Sequence, residues 1–229
     1  MTGDIQLPAT GGDDRVVITV GRQFGSGGRE FGRLLAERFG LRYYDKELLS
    51  EAARRSGVSE EFFEKSDERV PSFVDGLFSF AAGLNPLSYF QGSTAIGDDS
   101  IYRAQSDFIR QLAHDGNCVI VGRSADYVLR DDPRLVSIFV HADDDDCMSR
   151  ICRREPELTP DKARQRMSRV NRIRSNYYNF YTDKTWGSAM SYDLTFNTSR
   201  MPMDMLVEIT AEYIRRRFNI PLPFVGGRM

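Results

Sequence analysis

Five short runs of apolar residues recur along the chain at intervals that predict strands separated by helices. None of these runs alternates polar with apolar positions, which is typical of parallel strands covered on both faces. After the first run, apolar positions at helical spacing followed by Gly40 predict a helix that ends at that glycine. Strands that alternate with helices indicate an α/β protein with a doubly wound parallel sheet. The predicted strands are RVVITV (15–20), LRYYD (41–45), NCVIVG (117–122), LVSIFV (135–140) and DLTFNT (193–198).

The remaining segments divide into further helices, one irregular stretch and two terminal segments. Residues 1–14 are rich in Gly and Asp and predict a disordered leader. Residues 71–100 show no clear period and predict an irregular insertion. The tail 218–229 is apolar enough to be a docking strand or a contact in a homodimer, and we expect one domain, 15–217, between leader and tail. Further helices are predicted over 46–70, 100–115, 143–154, 160–180 and 203–217.

Bulk composition changes the picture mainly by exclusion. The 229 residues are 41% hydrophobic and 28% charged, which is ordinary for a soluble globular protein. The chain has neither a run of about 18 apolar residues nor an apolar signal segment at its start, so we expect no membrane span and a cytoplasmic location. The three cysteines lack metal-ligand spacing, the acids of HADDDD (141–146) are interpreted as the opening of a helix, and no metal site is predicted. A net charge of -2 argues against a general nucleic-acid-binding surface.

The segment GRQFGSGGRE (21–30), between the first strand and the first helix, is rich in glycine. Such a turn lets backbone N–H groups point at an anion, and the dipole of the following helix adds to the attraction. Loops of this kind usually carry a lysine and then Ser or Thr, but in one register the lysine position here is Gly28. Arg29 is the expected substitute cation, because guanidinium is a strong bidentate phosphate ligand, whereas the hydroxyl of Ser26 is in the wrong place. The alternative is that the segment is only a tight turn.

Arginine is concentrated in one later part of the chain. Residues 150–174 contain eight arginines and one lysine against three acids. Arg166, Arg169 and Arg172 recur every third residue on one predicted helix, and the helix before it carries a second group of arginines. Phosphoryl transfer needs cations around the moving group, so two arginine-bearing helices joined by EPELTP predict a lid that closes over a nucleotide. The alternative is two solvated helix faces.

Three segments match those of a known kinase family in order and spacing. They are VGRQFGSGGREFGRLLAERFGLRYYDKELL, CVIVGRSADYVL, and NRIRSNYYNFYTDKTWG followed by YDLTFNTS. Through them the chain, from about Val16 to Arg217, resembles the cytidylate-kinase-like family, a branch of the P-loop nucleoside monophosphate kinases. The resemblance implies a three-layer α/β/α P-loop sandwich with a five-stranded parallel sheet, a helical acceptor-binding segment inserted over 46–115 and an Arg-rich lid over 150–175. It also implies ATP with Mg²⁺ as phosphoryl donor and a small-molecule acceptor, with neither nucleic acid nor membrane as partner.

Residue types and the resemblance together predict three overlapping sets of site residues. For two members of the acceptor set a structural alternative stays open: Asp45 could cap the next helix, and Arg123 could pair with a structural carboxylate. The expected ATP-binding residues are Gly25, Ser26, Gly27, Gly28, Arg29, Glu30, Arg150 and Arg154. Arg29, Arg150, Arg154, Arg169 and Arg174 are expected to act in catalysis by neutralising charge on the transferring group. The acceptor-binding residues that the resemblance implies are Asp45, Lys46, Arg103, Gly122, Arg123, Asn171 and Arg174.

Three functions are consistent with these residues. The first is an ATP-dependent kinase for a small acceptor, above all a nucleoside monophosphate such as CMP or dCMP. The second is a catalytically inactive nucleotide-binding module that acts as a sensor or regulator, and it is motivated by the missing lysine and by Ser124, where cytidylate kinases have Asp after Gly-Arg. The third is an RNA-binding protein that uses the arginines of 164–174, against which the acidic total argues.

Overall fold

The computed structural model describes residues 16–45 and 95–219 of the chain. Within these ranges five strands form one sheet in the order β2-β3-β1-β4-β5, and all four pairs of neighbouring strands are parallel. The strands are β1 (Val17–Arg22), β2 (Arg42–Tyr44), β3 (Cys118–Val121), β4 (Leu135–His141) and β5 (Leu194–Asn197). The helices are α1 (Gly28–Phe39), α2 (Ala95–His114), α3 (Ala125–Val128), α4 (Asp144–Arg154), α5 (Pro160–Tyr181) and α6 (Met203–Phe218), with a 3₁₀ turn at Ala189–Ser191.

Helices cover both faces of the sheet, so the predicted three-layer α/β/α sandwich is confirmed. Ile18 and Val20 of β1 pack with Phe31 of α1 and with the buried face of α6. Val17 faces the other way and packs with Ile109 of α2 and with the short helix α3. Because successive side chains of a strand point to opposite faces, a strand buried on both sides must be apolar at nearly every position, as these runs are.

The predicted helices and strands agree with the structure apart from their ends. Strand β1 runs on to Arg22, beyond the predicted end at residue 20, because Gly21 and Arg22 pair with Phe139 and Val140 of β4. Helix α2 begins at Ala95, so the prediction that the irregular stretch reaches residue 100 is wrong at that end. Gly and Asp at positions 97–99 have low helix propensity, which concealed this first part of the helix. The predicted helix 46–70 lies outside the described residues.

Helices α4 and α5 begin with strong local signals. Three successive aspartates form the first turn of α4, as predicted for HADDDD, where negative charge complements the helix dipole. Helix α5 has Pro160 as its first residue, and its N-cap Thr159 accepts a hydrogen bond from the backbone N–H of Lys162 through its side-chain oxygen. None of the helices in the described ranges is both long enough and apolar enough to cross a membrane.

Candidate active site

The glycine-rich loop connects β1 to α1 at the carboxyl edge of the sheet, where ligands bind in open parallel sheets. Gly25 and Gly27 have left-handed backbone angles, with φ of 84° and 83°. A Cβ on Gly25 would lie 2.6 Å from the backbone oxygen of Cys147, so a side chain there is excluded by space as well as by conformation. The first N–H groups of α1 have no intrahelical partner and lie where the loop enters the helix.

Side chains from three distant segments bind the backbone of this loop. Asn171 of α5 accepts a hydrogen bond from the N–H of Phe24 at 2.8 Å. Thr198 donates its hydroxyl proton to the carbonyl oxygen of Ser26 at 2.8 Å, and Arg150 of α4 donates to the carbonyl oxygen of Gly25 at 3.4 Å. The hydroxyl of Ser26 donates to the carbonyl oxygen of Gln23 at 3.0 Å, within the loop itself. Side chains of other segments therefore stabilise the loop, and the hydroxyl of Ser26 stabilises the turn within it.

Helices α4 and α5 face the loop and surround the ring of Phe24. The guanidinium carbons of Arg154, Arg166 and Arg174 lie 5.0, 5.9 and 5.7 Å from the centre of that ring. Glu155, at the end of α4, pairs with Arg166 at 2.7 Å and with Arg154 at 3.5 Å. Phe24 thus contacts three arginines of the facing helices through cation–π interactions.

A cavity of about 990 Å³ lies between the loop and the two helices. Its wall contains nine cationic residues and two glutamates, which gives a strong excess of positive charge. Its volume is in the range of known small-molecule sites. An anionic ligand is the chemistry that such a cavity favours. The cations are Arg22, Arg29, Arg150, Arg153, Arg154, Lys162, Arg166, Arg169 and Arg174, and the acids are Glu30 and Glu155.

A second cavity of about 50 Å³ adjoins the first at the end of β3. Arg22, Ile173 and Arg174 contribute to the walls of both cavities. The end of β3 has an unusual backbone, because Gly122, Arg123 and Ser124 have φ of 87°, 60° and 50°. Two successive residues other than glycine in this conformation are energetically unfavourable, and such strain is concentrated at functional sites.

The C-terminal end of α5 is attached to the body of the protein beneath this second cavity. The hydroxyl of Tyr178 donates to a carboxylate oxygen of Asp126 at 2.6 Å, and both side chains are buried. Burial raises the pKa of Asp126, while the hydrogen bond from Tyr178 acts in the opposite direction. Trp186, shortly after α5, packs edge-on against Phe139 of β4. Tyr178 at the end of α5 and Trp186 just after it therefore pack that helix against the body of the protein.

The sequence matches the cytidylate kinase-like family over residues 17–200. The chain belongs to this family. A crystal structure of an uncharacterised protein from Eubacterium ventriosum ATCC 27560 is similar, with 27% identity and a TM-score of 0.65 over 87% of this chain and 98% of that one. The crystal structure of shikimate kinase from Bacteroides thetaiotaomicron has 12% identity and a TM-score of 0.50, again over 87% of this chain and 98% of that one, and this likeness concerns the fold. No curated protein matches the sequence significantly.

This member of the cytidylate kinase-like family has the P-loop kinase fold. Its glycine-rich loop lies at the position where we expect the phosphoryl donor to bind. Ser26 is fully buried and is not part of the cavity wall. Arg29 lines the cavity and also pairs with Asp45, Nε to Oδ2, at 3.3 Å. The large cavity brings together the following predicted donor-site and catalytic residues: Gly25, Gly27, Gly28, Arg29, Glu30, Arg150, Arg154, Arg169 and Arg174.

The residues predicted to bind the acceptor lie in different places. Gly122, Arg123 and Arg174 line the small cavity together. Asp45 is buried at the end of β2, where Tyr43 donates its hydroxyl proton to it at 3.3 Å, and Asn171 binds the loop as described above. Arg103 is exposed on α2 and lines neither of the two cavities among the described residues. Lys46 and most of the predicted acceptor-binding insertion lie outside the described residues.

Phe24 and Arg22 have central contacts in the site and are absent from the predicted site residues. Phe24 is the aromatic residue that the facing arginines surround, and its only signal in the sequence is a large side chain inside a glycine-rich loop. Arg22 lines both cavities from the last position of β1. The sequence indicates this role only through position: Arg22 stands five residues before Gly27, where the usual loop pattern has its first glycine.

Proposed function

We propose that the protein transfers the γ-phosphoryl group of Mg²⁺-ATP to a small acceptor, and that the acceptor is a nucleoside monophosphate such as CMP or dCMP. The observation that carries this proposal is the 990 Å³ cavity, in which nine cations and two acids surround the end of a phosphate-binding loop. Membership of a cytidylate kinase-like family supports the reaction class and favours a pyrimidine nucleotide as the first acceptor to test.

The reaction requires positioning and charge neutralisation more than covalent help from the protein. The loop backbone and Arg29 bind the donor phosphates, and the arginines of α4 and α5 close over them. An oxygen of the acceptor phosphate attacks the γ-phosphorus, the bond from that phosphorus to the bridging oxygen breaks, and ADP leaves with the electron pair. No general base is needed, because a phosphate acceptor is already an anion. Arg154, Arg169 and Arg174 neutralise the charge that spreads over the transferred group.

The residues at the loop also fit a magnesium ion that arrives with the nucleotide. Among the described residues there is no cluster of three or more acidic, Cys or His side chains that could hold a metal by itself. Mg²⁺ in kinases needs only one or two protein carboxylates besides the substrate phosphates. Of the two acidic residues of the cavity wall, Glu30 belongs to the glycine-rich segment, and it would hold the ion there. When bound, the ion would neutralise part of the phosphate charge.

The small cavity supports the acceptor part of the proposal. It lies next to the donor cavity, it contains Arg123 and Arg174 as anion ligands, and Arg22 and Arg174 line both spaces. The volume of about 50 Å³ is too small for a whole nucleotide but suits one phosphate group. The base and sugar of the acceptor would then contact Asp45 and the predicted insertion 46–115, which includes Lys46 and Arg103.

An ADP-release assay with Mg²⁺-ATP against CMP, dCMP, UMP, AMP and GMP tests this function. We expect turnover with at least one pyrimidine monophosphate and little release of ADP without an acceptor. Turnover with none of the five would contradict a nucleoside monophosphate kinase.

A second candidate function is a nucleotide-binding regulatory module without catalysis. The observation that favours it is the loss of both usual catalytic positions in the loop: glycine stands at the lysine position, and the Ser26 hydroxyl is bound to Gln23. A thermal-shift titration with ATP run beside the kinetic assay separates the two functions. Stabilisation by ATP without turnover on any acceptor would support the module, whereas no stabilisation would contradict both.

A further inference from the structure

The loop of this protein differs from the usual phosphate-loop pattern at two positions: a cation stands where the pattern has glycine, and glycine stands where the pattern has lysine. In the pattern G-x-x-x-x-G-K the lysine opens the helix that follows the loop. Helix α1 opens at Gly28, so Gly28 stands at the lysine and Gly27 at the second glycine. Counting back five residues, the first glycine of the pattern is replaced by Arg22. Compared with the usual pattern, the cation is therefore at the first position of the loop, and the lysine position is occupied by glycine.

These two positions face each other in space. A Cβ on Gly28 would lie 2.5 Å from Cβ of Arg22, 3.1 Å from its Cγ and 3.3 Å from Cβ of Val140. The first of these distances is far below van der Waals contact, and Cβ of Arg22 is held by a strand that is paired to β4 up to that residue. A side chain at position 28 and a side chain at position 22 thus exclude each other. The stem of Arg22 fills the space from which a lysine at 28 would start.

The guanidinium of Arg22 extends to the boundary between the two cavities. It lies against Gly122, where a Cβ would overlap with Nη1 and lie 2.9 Å from Cζ. Arg174, which also lines both cavities, donates a hydrogen bond to the backbone oxygen of Arg22 at 3.2 Å. A phosphoryl group that moves from the donor cavity to the small cavity would pass this pair of arginines.

We propose that Arg22 performs the task of the missing lysine, reaching the phosphates from the opposite end of the loop and binding them where donor and acceptor meet. This inference rests on the proposed function, since it assigns a phosphate ligand to the same site. It also explains Gly28, which leaves room for the stem of Arg22. Gly122 lies against the guanidinium, although its φ of 87° favours glycine in any case.

Arg29 provides the comparison, because it is the cation that the sequence favours for the same task. Its side chain is 53% exposed and its guanidinium pairs with Asp45. It lines the large cavity but not the small one. Arg29 can bind the outer part of a phosphate chain, but Arg22 is the one that reaches both spaces.

The first test replaces Arg22 by methionine, which keeps much of the stem and removes the charge, beside Arg29→Ala in the full-length protein. Binding of ATP and of AMP is measured by calorimetry, and turnover by ADP release with Mg²⁺-ATP and the acceptor that the parent uses best. For Arg22→Met we expect an ATP affinity lowered at least about tenfold with AMP affinity nearly unchanged, and turnover lowered on the order of a hundredfold. Equal ATP binding and turnover in Arg22→Met and the parent would overturn the proposal and leave the proposed function intact.

The second test removes the cation at position 22 and places a lysine at position 28, as in the usual pattern. In Arg22→Gly/Gly28→Lys the clashes with Cβ and Cγ of Arg22 disappear, and only the 3.3 Å approach to Cβ of Val140 remains. We expect a folded protein with turnover at least about tenfold above that of Arg22→Gly. The matched control Arg22→Ala/Gly28→Lys keeps two Cβ atoms 2.5 Å apart, and we expect it to unfold at lower temperature without recovering turnover. If the glycine double variant folds and is no more active than Arg22→Gly, the lysine and Arg22 are not equivalent and the proposal fails.

The outcomes also separate this inference from the proposed function. A parent that binds ATP but transfers no phosphoryl group contradicts the kinase, and the ratio of ATP to AMP affinity in Arg22→Met then decides the role of Arg22 alone. A parent that neither binds ATP nor turns over contradicts both.

Discussion

The large cavity has two walls, a loop wall formed by residues 22–30 and a helix wall formed by α4 and α5. The loop wall is shaped by packing: Ser26 is fully buried, and side chains of Asn171, Arg150 and Thr198 bind its backbone. The helix wall is shaped by charge: Arg154 and Arg166 are 55% and 48% exposed and share Glu155. Changes that disturb the backbone of the loop wall should therefore act on stability, and changes that remove charged side chains of the helix wall should act on binding and turnover.

The largest effect is expected for Arg150→Ala, since Arg150 belongs to the helix wall and also binds the loop wall. Its guanidinium donates to the carbonyl oxygens of Gly25 and Thr198, both at 3.4 Å, and lines the cavity. Turnover should fall about a hundredfold, which corresponds to roughly 2.7 kcal/mol, and the melting temperature should fall as well. Kinetics and calorimetry on the same preparation check both. Arg153→Ala removes another charge from the same cavity, but Arg153 has no hydrogen bond to the loop among the described residues, so the melting temperature should stay unchanged. An equal fall in both variants would remove the distinction between the walls.

Gly25→Ala should act mainly on stability, through the loop wall. The new Cβ would lie 2.6 Å from the backbone oxygen of Cys147, at a residue whose φ is 84°. We expect a loss of about 2–4 kcal/mol in the free energy of unfolding, measured by urea denaturation. The control is Gly116→Ala, where φ is also positive but the nearest atom is the flexible end of Arg42 at 3.3 Å. Equal losses would mean that backbone conformation, and not contact with α4, limits the loop.

Asn171→Ala tests whether the helix wall stabilises the loop wall from its own side. It leaves the N–H of Phe24 without its acceptor, which should cost about 1–2 kcal/mol of stability and raise KM for ATP. Asn179→Ala removes a similar 2.8 Å acceptor from the N–H of Trp186, but in an exposed position where water can replace it, so its cost should be smaller. A selective rise in KM for the acceptor would instead support the acceptor-binding role that the sequence predicts for Asn171.

The smallest effect is expected for Arg169→Ala, which removes charge from the helix wall alone. Arg169 lines the cavity on α5, and turnover should fall about tenfold, or roughly 1.4 kcal/mol, with no change in melting temperature. Arg172→Ala is the matched control, because Arg172 is exposed on the same helix and lines neither cavity among the described residues. If both variants lose activity equally, the net charge of the helix matters and the position of Arg169 does not.

The predictable part of the site follows from local chemistry. The apolar runs predict buried strands, and the glycines of GRQFGSGGRE predict a turn that carries backbone donors. The concentration of arginine in α4 and α5 predicts a positively charged site, and six of these eight arginines line one cavity. Each of these signals is contained in a few neighbouring residues. Two residues were missed because their role depends on distant partners: Phe24 meets arginines more than a hundred positions away, and Arg22 meets Gly122.

The fold class, the position of the glycine-rich loop and the concentration of positive charge could be predicted from the sequence alone, because periodicity, glycine content and charge are properties of local segments. The strand order β2-β3-β1-β4-β5, the binding of Asn171 to the loop and the mutual exclusion of side chains at positions 22 and 28 could be read only from the three-dimensional structure. These features depend on distances between atoms far apart in sequence. Such distances are established only when the layers pack against each other.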